Sequence, residues 1–172
     1  MNFEDLYKQY KKLVYNLSLH YTQNIEDAEE VTQDVFIRIY EKMYTFKDKS
    51  SIKTWIYRIT INMSLDYIKA KKRKKRWATF FSFNIDSENV ENIHINFNHP
   101  GVELEQKEAV AAIFNKLNQL SEKQKNIIVL FKIEKLPLEE VAEILNLSTK
   151  ATESLFFRAK KNLEKKLFQS EE

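Results

Sequence analysis

A chain of 172 residues with 43% hydrophobic and 13% aromatic side chains can build one ordinary domain or two small ones, and its composition is not that of a disordered protein. It has no cysteine, one glycine and two prolines. That excludes a disulfide framework and a cysteine-based zinc site, and leaves few positions for the tight turns that join β-strands. The net charge is only +3, but the run KAKKRKKR (69–76) holds seven of the basic side chains, leaving 21 basic against 25 acidic elsewhere. Positive charge concentrated in this way suits a directed contact with a polyanion.

The opening stretch, MNFEDLYKQY, is polar and acidic and unlike a signal peptide, and no run approaches the length of a membrane span. The expectation is a soluble, cytoplasmic, all-α protein. From 2 to 21, Phe3, Leu6, Tyr7, Tyr10, Leu13, Val14 and Leu17 recur at three- and four-residue spacing and predict an amphipathic helix. After the TQN break, Asn24 is placed to cap a second helix reaching about Met43, with Ala28, Val31, Val35, Ile39 and Met43 on one face and Asp27 as a weak capping-box partner. The polar loop TFKDKSS follows. A third helix begins near Ser51, uses Ile52, Trp55, Ile56, Ile59 and Met63, and ends in the basic run.

Composition changes at Trp77. The next 25 residues have no helical period; Ile93, Ile95 and Phe97 alternate as in a short strand, but an Asn-rich connector between domains explains the stretch better. Helical spacing resumes with Leu104, Val110, Ile113, Phe114 and Leu117. Ser121 and Gln124 form a capping-box pattern before a helix carrying Ile127, Ile128 and Phe131, and Pro137 stands where a further helix begins. The reading is therefore two small helical domains, 1–76 and 102–172, joined by a flexible linker, 77–101.

The last pattern, PLEEVAEILNLSTKATESLFFRAKKNL, has the spacing of a helix-turn-helix. Val141, Ala142 and Leu145 face inward from a short helix, and small Ala142 permits a close crossing. Asn146 suits the left-handed residue after the helix, Leu147 plugs the corner, Ser148 or Thr149 caps the next helix, and Leu155 returns to the core. An ordinary helical hairpin shares some of these features. The window 149–167 holds six basic and two acidic side chains, which suits phosphate contact.

Taken in order, DAEEVTQDVFIRIYEKM, SSIKTWIYRITINMSLDYIKAKKRKKR and LSEKQKNIIVLFKIEKLPLEEVAEILNLSTKATESLFFRAKKNL resemble a sigma factor of RNA polymerase, of the extracytoplasmic function subfamily of the sigma-70 family. The resemblance covers both ends of the chain and leaves the linker unmatched. It implies that the segment with Asp27, Glu30, Gln33, Asp34, Val35, Phe36 and Arg38 grips the clamp helices of the polymerase's largest subunit. It implies that the helix with Trp55, Tyr57, Arg58, Asn62, Asp66, Lys69, Lys71, Lys72, Arg73 and Lys74 opens and reads the minus-ten promoter element. It implies that Ser148, Thr149, Lys150, Thr152, Glu153, Arg158 and Lys161 meet the minus-thirty-five element, with the helix-turn-helix domain against the flap of the second-largest subunit. Core RNA polymerase, promoter DNA and an anti-sigma protein are the implied partners, with no small-molecule substrate.

The residue chemistry agrees with those roles. Strand opening requires surfaces for unstacked bases and cations for the backbone. Trp55 and Tyr57 supply rings, although Trp55 has the spacing of a core residue too. Asn62 can pair with a base edge. Phe46, with the KDKSS loop, lies at the other end of the helix as a wall for a flipped base. The basic run reads as a phosphate clamp, although such runs are commonly solvated faces. On helix two, the macrodipole accounts for Glu26, Asp27 and Glu29, while Asp34 lies too deep for it and suits a basic partner surface. Glu153 departs from the family pattern: an acid in the groove repels phosphate but accepts from a cytosine amino group.

An enzymatic reading has little support. His20, His94 and His99 share no metal-ligand spacing with acids, and there is no Gly-rich phosphate loop or nucleophile elbow. No metal or cofactor is expected. Two alternatives stay open: a free-standing helix-turn-helix regulator, and a helical interaction module with no DNA role.

Overall fold

A computed structural model of the chain describes residues 2–46, 50–82 and 104–168, with the side chains of 78–82 and 104–109 outside the description. Every regular element among the described residues is helical. In chain order these are α1 (Phe3–Thr22), α2 (Ile25–Lys42) followed by a 3₁₀ turn at Met43–Thr45, α3 (Ile52–Ser82), α4 (Leu104–Leu117), α5 (Glu122–Ile128) running into a π-helical turn at Val129–Ile133, α6 (Leu138–Leu145) and α7 (Thr149–Phe168). The Asn-rich stretch with Ile93, Ile95 and Phe97 lies outside the described residues.

Local chemistry explains most of the boundaries. Asn2 Oδ1 accepts from the Glu4 amide at 3.1 Å to open α1, and Gln23, left-handed at φ 56°, closes it with a bond to the Leu19 carbonyl. Asn24 Oδ1 accepts from the Asp27 amide at 2.8 Å. Ser51, Ser121 and Ser148 cap α3, α5 and α7 in the same way, through the amides of Thr54, Gln124 and Ala151. Asn146 sits at φ 54° after α6, as its place in the pattern predicts.

The chain divides into two compact units: Met1–Phe46 with Ile59–Phe97, and Lys47–Arg58 with Asn98–Glu172. In the first, Leu6, Tyr10, Val14 and Leu17 of α1 pack with Ala28, Val31, Val35 and Ile39 of α2, and Ile61 is buried on α3. Phe3, Tyr7 and Phe36 add edge-on ring contacts, with Tyr7 and Phe36 4.8 Å apart. In the second, Phe114, Leu117, Ile127, Leu130, Val141, Ala142, Leu155 and Ala159 form the core.

Three details differ from the sequence-based expectation. Helix α3 runs six residues past the basic run's end at Arg76, to Ser82, because Trp77 and Ala78 tolerate a helix and no Gly or Pro stands in 77–82 to break it. A π turn, which periodicity does not announce, closes with the Glu134 amide on the Val129 carbonyl at 2.9 Å. Four consecutive buried residues, Ile127 to Leu130, cannot share one stripe of a regular helix, and the wider turn shifts the register that follows. Leu147 is 37% exposed and does not plug the corner; Ile144, not Leu145, is the buried residue closing α6. Pro137 stands where α6 begins, as expected, at its N-cap.

Candidate nucleic-acid interface

The outer face of α3 is built by helical spacing. Asn62, Asp66, Lys69, Arg73 and Arg76 recur at intervals of three and four and are all exposed, with Lys72 and Lys74 beside them. The opposite face is buried through Thr60, Ile61 and Ser64. A base-edge reader (Asn62) and a row of cations thus share one surface, the arrangement that backbone tracking with local base contact requires.

The first turns of α3 do not share that surface. Tyr57 is 2% exposed and its hydroxyl donates to Glu134 Oε2 at 3.3 Å. Burial, then the Glu134 carboxylate, raises its pKa well above the ordinary 10.0, so the phenol keeps its proton and donates the hydrogen bond. Arg58 donates from Nε to the Ile144 carbonyl at 3.1 Å, and from Nη2 to the Glu143 carbonyl. Trp55 is half-buried, as its core-like spacing allows. These three are engaged or covered in this structure, because apolar spacing on the helix decides their side before any base does. Phe46 is half-buried, and Lys47, Asp48 and Lys49 lie outside the described residues.

On α2 the implied polymerase-gripping set splits. Gln33, Asp34 and Arg38 are exposed, together with Ile37 at 58% and Tyr40 at 55%, which the sequence reading does not single out. Their spacing of four and seven from Gln33 is the signal that could have found them. Val35 and Phe36 are core residues at 0% and 4% exposure and present no surface to a partner. Asp27 and Glu30 are both hydrogen-bonded by the Tyr67 hydroxyl, at 2.8 and 2.9 Å, and Asp27 is paired with Lys71. Burial, then these two bonds, raises the Tyr67 pKa well above 10.0.

On α7, Thr149, Lys150, Glu153, Ser154, Phe157 and Arg158 form one exposed face, with Lys161 a turn beyond. Thr152 is fully buried and donates to the Ser148 carbonyl at 3.0 Å, so it serves the turn and not the groove. Ser154 and Phe157, which is 69% exposed, are additions to the face; both continue the stripe begun by Lys150 and Glu153. Phe156 instead turns inward against Phe131 at 4.8 Å, where Lys132 lies over both rings. An apolar groove of about 340 Å³ lies between Ile113, Leu117, Ile128, Ile133, Phe156 and Leu163, with Lys132, Lys160 and Glu164 at its edge, the last two paired at 3.6 Å.

Among the described residues, no group of three or more His, Asp or Glu side chains is placed to hold a metal ion, and no helix is long and apolar enough to cross a membrane.

Comparison with known proteins places these surfaces in a family context. Residues 6–74 match the model for Sigma-70 region 2, and residues 111–163 the model for Sigma-70, region 4. The chain is similar to the RNA polymerase sigma factor YlaC of Bacillus subtilis, 25% identical over 171 residues covering 99% of this chain and 95% of the relative. It is similar to the ECF RNA polymerase sigma-E factor of Haemophilus influenzae, 28% identical over 165 residues covering 96% and 87%. Among solved structures it shares its fold with the sigma factor RpoE from Bartonella quintana, crystallised with the anti-sigma factor NepR, at a TM-score of 0.63, 21% identity and 96% coverage of both chains. It shares it also with CnrH, solved with the cytosolic domain of CnrY, at a TM-score of 0.66, 19% identity, and coverage of 99% and 89%.

Proposed function

The chain belongs to the sigma-70 family of RNA polymerase sigma factors, in its extracytoplasmic function group, and from that premise we propose how its two regions divide the work of promoter-specific initiation. The observation that carries the reading is the order of the two matched regions, each supplying one exposed, polyanion-compatible helix face. The segment 1–76 acts as the polymerase-gripping and minus-ten domain, 77–101 as a connector, and 102–172 as the minus-thirty-five domain.

In this scheme Gln33, Asp34, Ile37, Arg38 and Tyr40 meet the clamp helices of the largest polymerase subunit. A half-apolar surface with a central acid suits a basic helical partner. Asn62 and Asp66 face the minus-ten bases while Lys69, Lys72, Arg73 and Lys74 neutralise phosphates. The α7 face reads the minus-thirty-five element: Lys150 and Arg158 favour phosphates or guanine, Glu153 accepts from an exocyclic amino group, and Phe157 offers apolar contact to a thymine methyl. The groove beside Phe156, apolar with Lys132, Lys160 and Glu164 at its edge, takes an amphipathic helix from the polymerase flap or an anti-sigma protein. The chain supplies no chemistry of its own; nucleotide addition belongs to the polymerase. It works in the cytoplasm, where its polymerase and promoters are.

Reconstitution tests the scheme. Purified chain is added to bacterial core polymerase and assayed for co-elution and for run-off transcription on a genomic promoter library. Promoter-dependent transcripts absent with core alone are the expected result. Tight, specific DNA binding by the chain alone, without core association, would instead make it a free-standing regulator.

A further inference from the structure

Two acids that resemblance assigns to polymerase are already in use inside the first unit. Asp27 is in the first turn of α2 and its side chain is only 14% exposed. Its amide is held by Asn24, and its carboxylate accepts from the Tyr67 hydroxyl at 2.8 Å and from Lys71 Nζ at 2.7 Å. Glu30, one turn along α2, accepts from the same hydroxyl at 2.9 Å. Tyr67 and Lys71 are one turn apart on α3. Two turns of one helix are therefore stapled to two turns of the other.

The position of this staple gives it a consequence. Ile68 and Ala70 are half-buried, but from Lys71 through Trp77 every side chain is exposed. The basic helix leaves the body of its unit at Lys71. Apolar packing sets the axis of α3 only up to that point, and a small rotation there swings every later cation. A phenol contributes one proton to two carboxylates, and the Lys71 ammonium offsets one of their two negative charges, at Asp27. Lys71 is accordingly committed to protein, unlike Lys72, Arg73 and Lys74.

We propose that Asp27, Glu30 and Tyr67 are positioning residues that aim the basic end of α3 at promoter DNA, with Lys71 as their counter-ion, and that Asp27 is not a polymerase contact. This rests on the sigma-factor reading for its DNA target, while the staple itself can be measured in the free chain.

The test uses Tyr67→Phe, Asp27→Asn and their combination in the full chain. In the free chain, amide hydrogen exchange across 71–82 should accelerate about threefold to tenfold in each single variant, with little further change in the double, because one network is broken in all three. In holoenzyme, the same variants should lower the fraction of opened promoter about tenfold at a fixed salt concentration, while core affinity stays within about twofold of the parent. Asp34→Lys provides the contrast: core affinity falls and the exchange pattern does not move. Unchanged exchange at 71–82 overturns the staple. A fall in core affinity for Asp27→Asn matching that of Asp34→Lys overturns the claim that Asp27 is no polymerase contact. If the parent itself opens no promoter with core, the sigma reading fails, and the exchange result still decides the staple.

Discussion

The two helices proposed to face DNA are held in different ways. The basic end of α3 is held by side-chain polar contacts from α2, through Tyr67, Asp27, Glu30 and Lys71. The start of α7 is held by a backbone turn and apolar packing: Asn146 in the left-handed region, the Ser148 cap, and Leu155 and Ala159 in the core. A polar staple holds direction only while its geometry is complete, whereas packing holds a helix by area and tolerates the removal of one hydrogen bond. The basic run of α3 should therefore act through many exchangeable phosphate contacts, and α7 through a few residues at set places.

Three measurements bear on that difference. The largest effect is expected from replacing Lys72, Arg73 and Lys74 with Gln. The slope of log promoter affinity against log salt should become shallower by about 2 to 3, roughly one for each phosphate no longer neutralised. An unchanged slope would make the run a solvated face. Next is Glu153→Gln. Discrimination at a single base pair of the minus-thirty-five element should change by about 1–3 kcal/mol, with the salt slope unaltered, measured on a library randomised in that element. A uniform change at all positions would mean Glu153 acts only by repelling phosphate. The smallest is Ser148→Ala, which removes one cap and should cost about 1 kcal/mol in the unfolding free energy of the C-terminal unit, read by chemical denaturation. A much larger effect would show that the turn, and not packing, carries α7.

The same two helices separate what is legible in the sequence from what is not. The caps at Asn24, Ser121 and Ser148 and the left-handed Asn146 are legible because each depends on one side chain and the next few amides. The outer face of α3 is legible by spacing. The division of the acids is legible only in part. Depth in the helix sets Asp34 apart from Asp27, but it does not show that Asp27 is bonded to Tyr67, 40 residues away, while Asp34 is exposed. Phe36 falls on the core side beside Val35, which apolar spacing already places there, although both stand in the implied polymerase-gripping stretch, because consecutive residues span both faces of a helix. Thr152 faces inward, against expectation, and Phe157, for which the sequence sets none, faces outward, because which residues meet the core depends on the angle at which α7 lies against its unit.

Periodicity of 3.6 residues, short-range hydrogen bonding and composition are local properties, and they suffice for the all-helical class, the caps, the order of two regions and the exposed basic run. Tertiary structure decides which acids are bonded within the unit and which are presented to a partner, where α3 parts from its support, and which ring on α7 faces outward. Those depend on distances between residues far apart in the chain, and no local rule contains them.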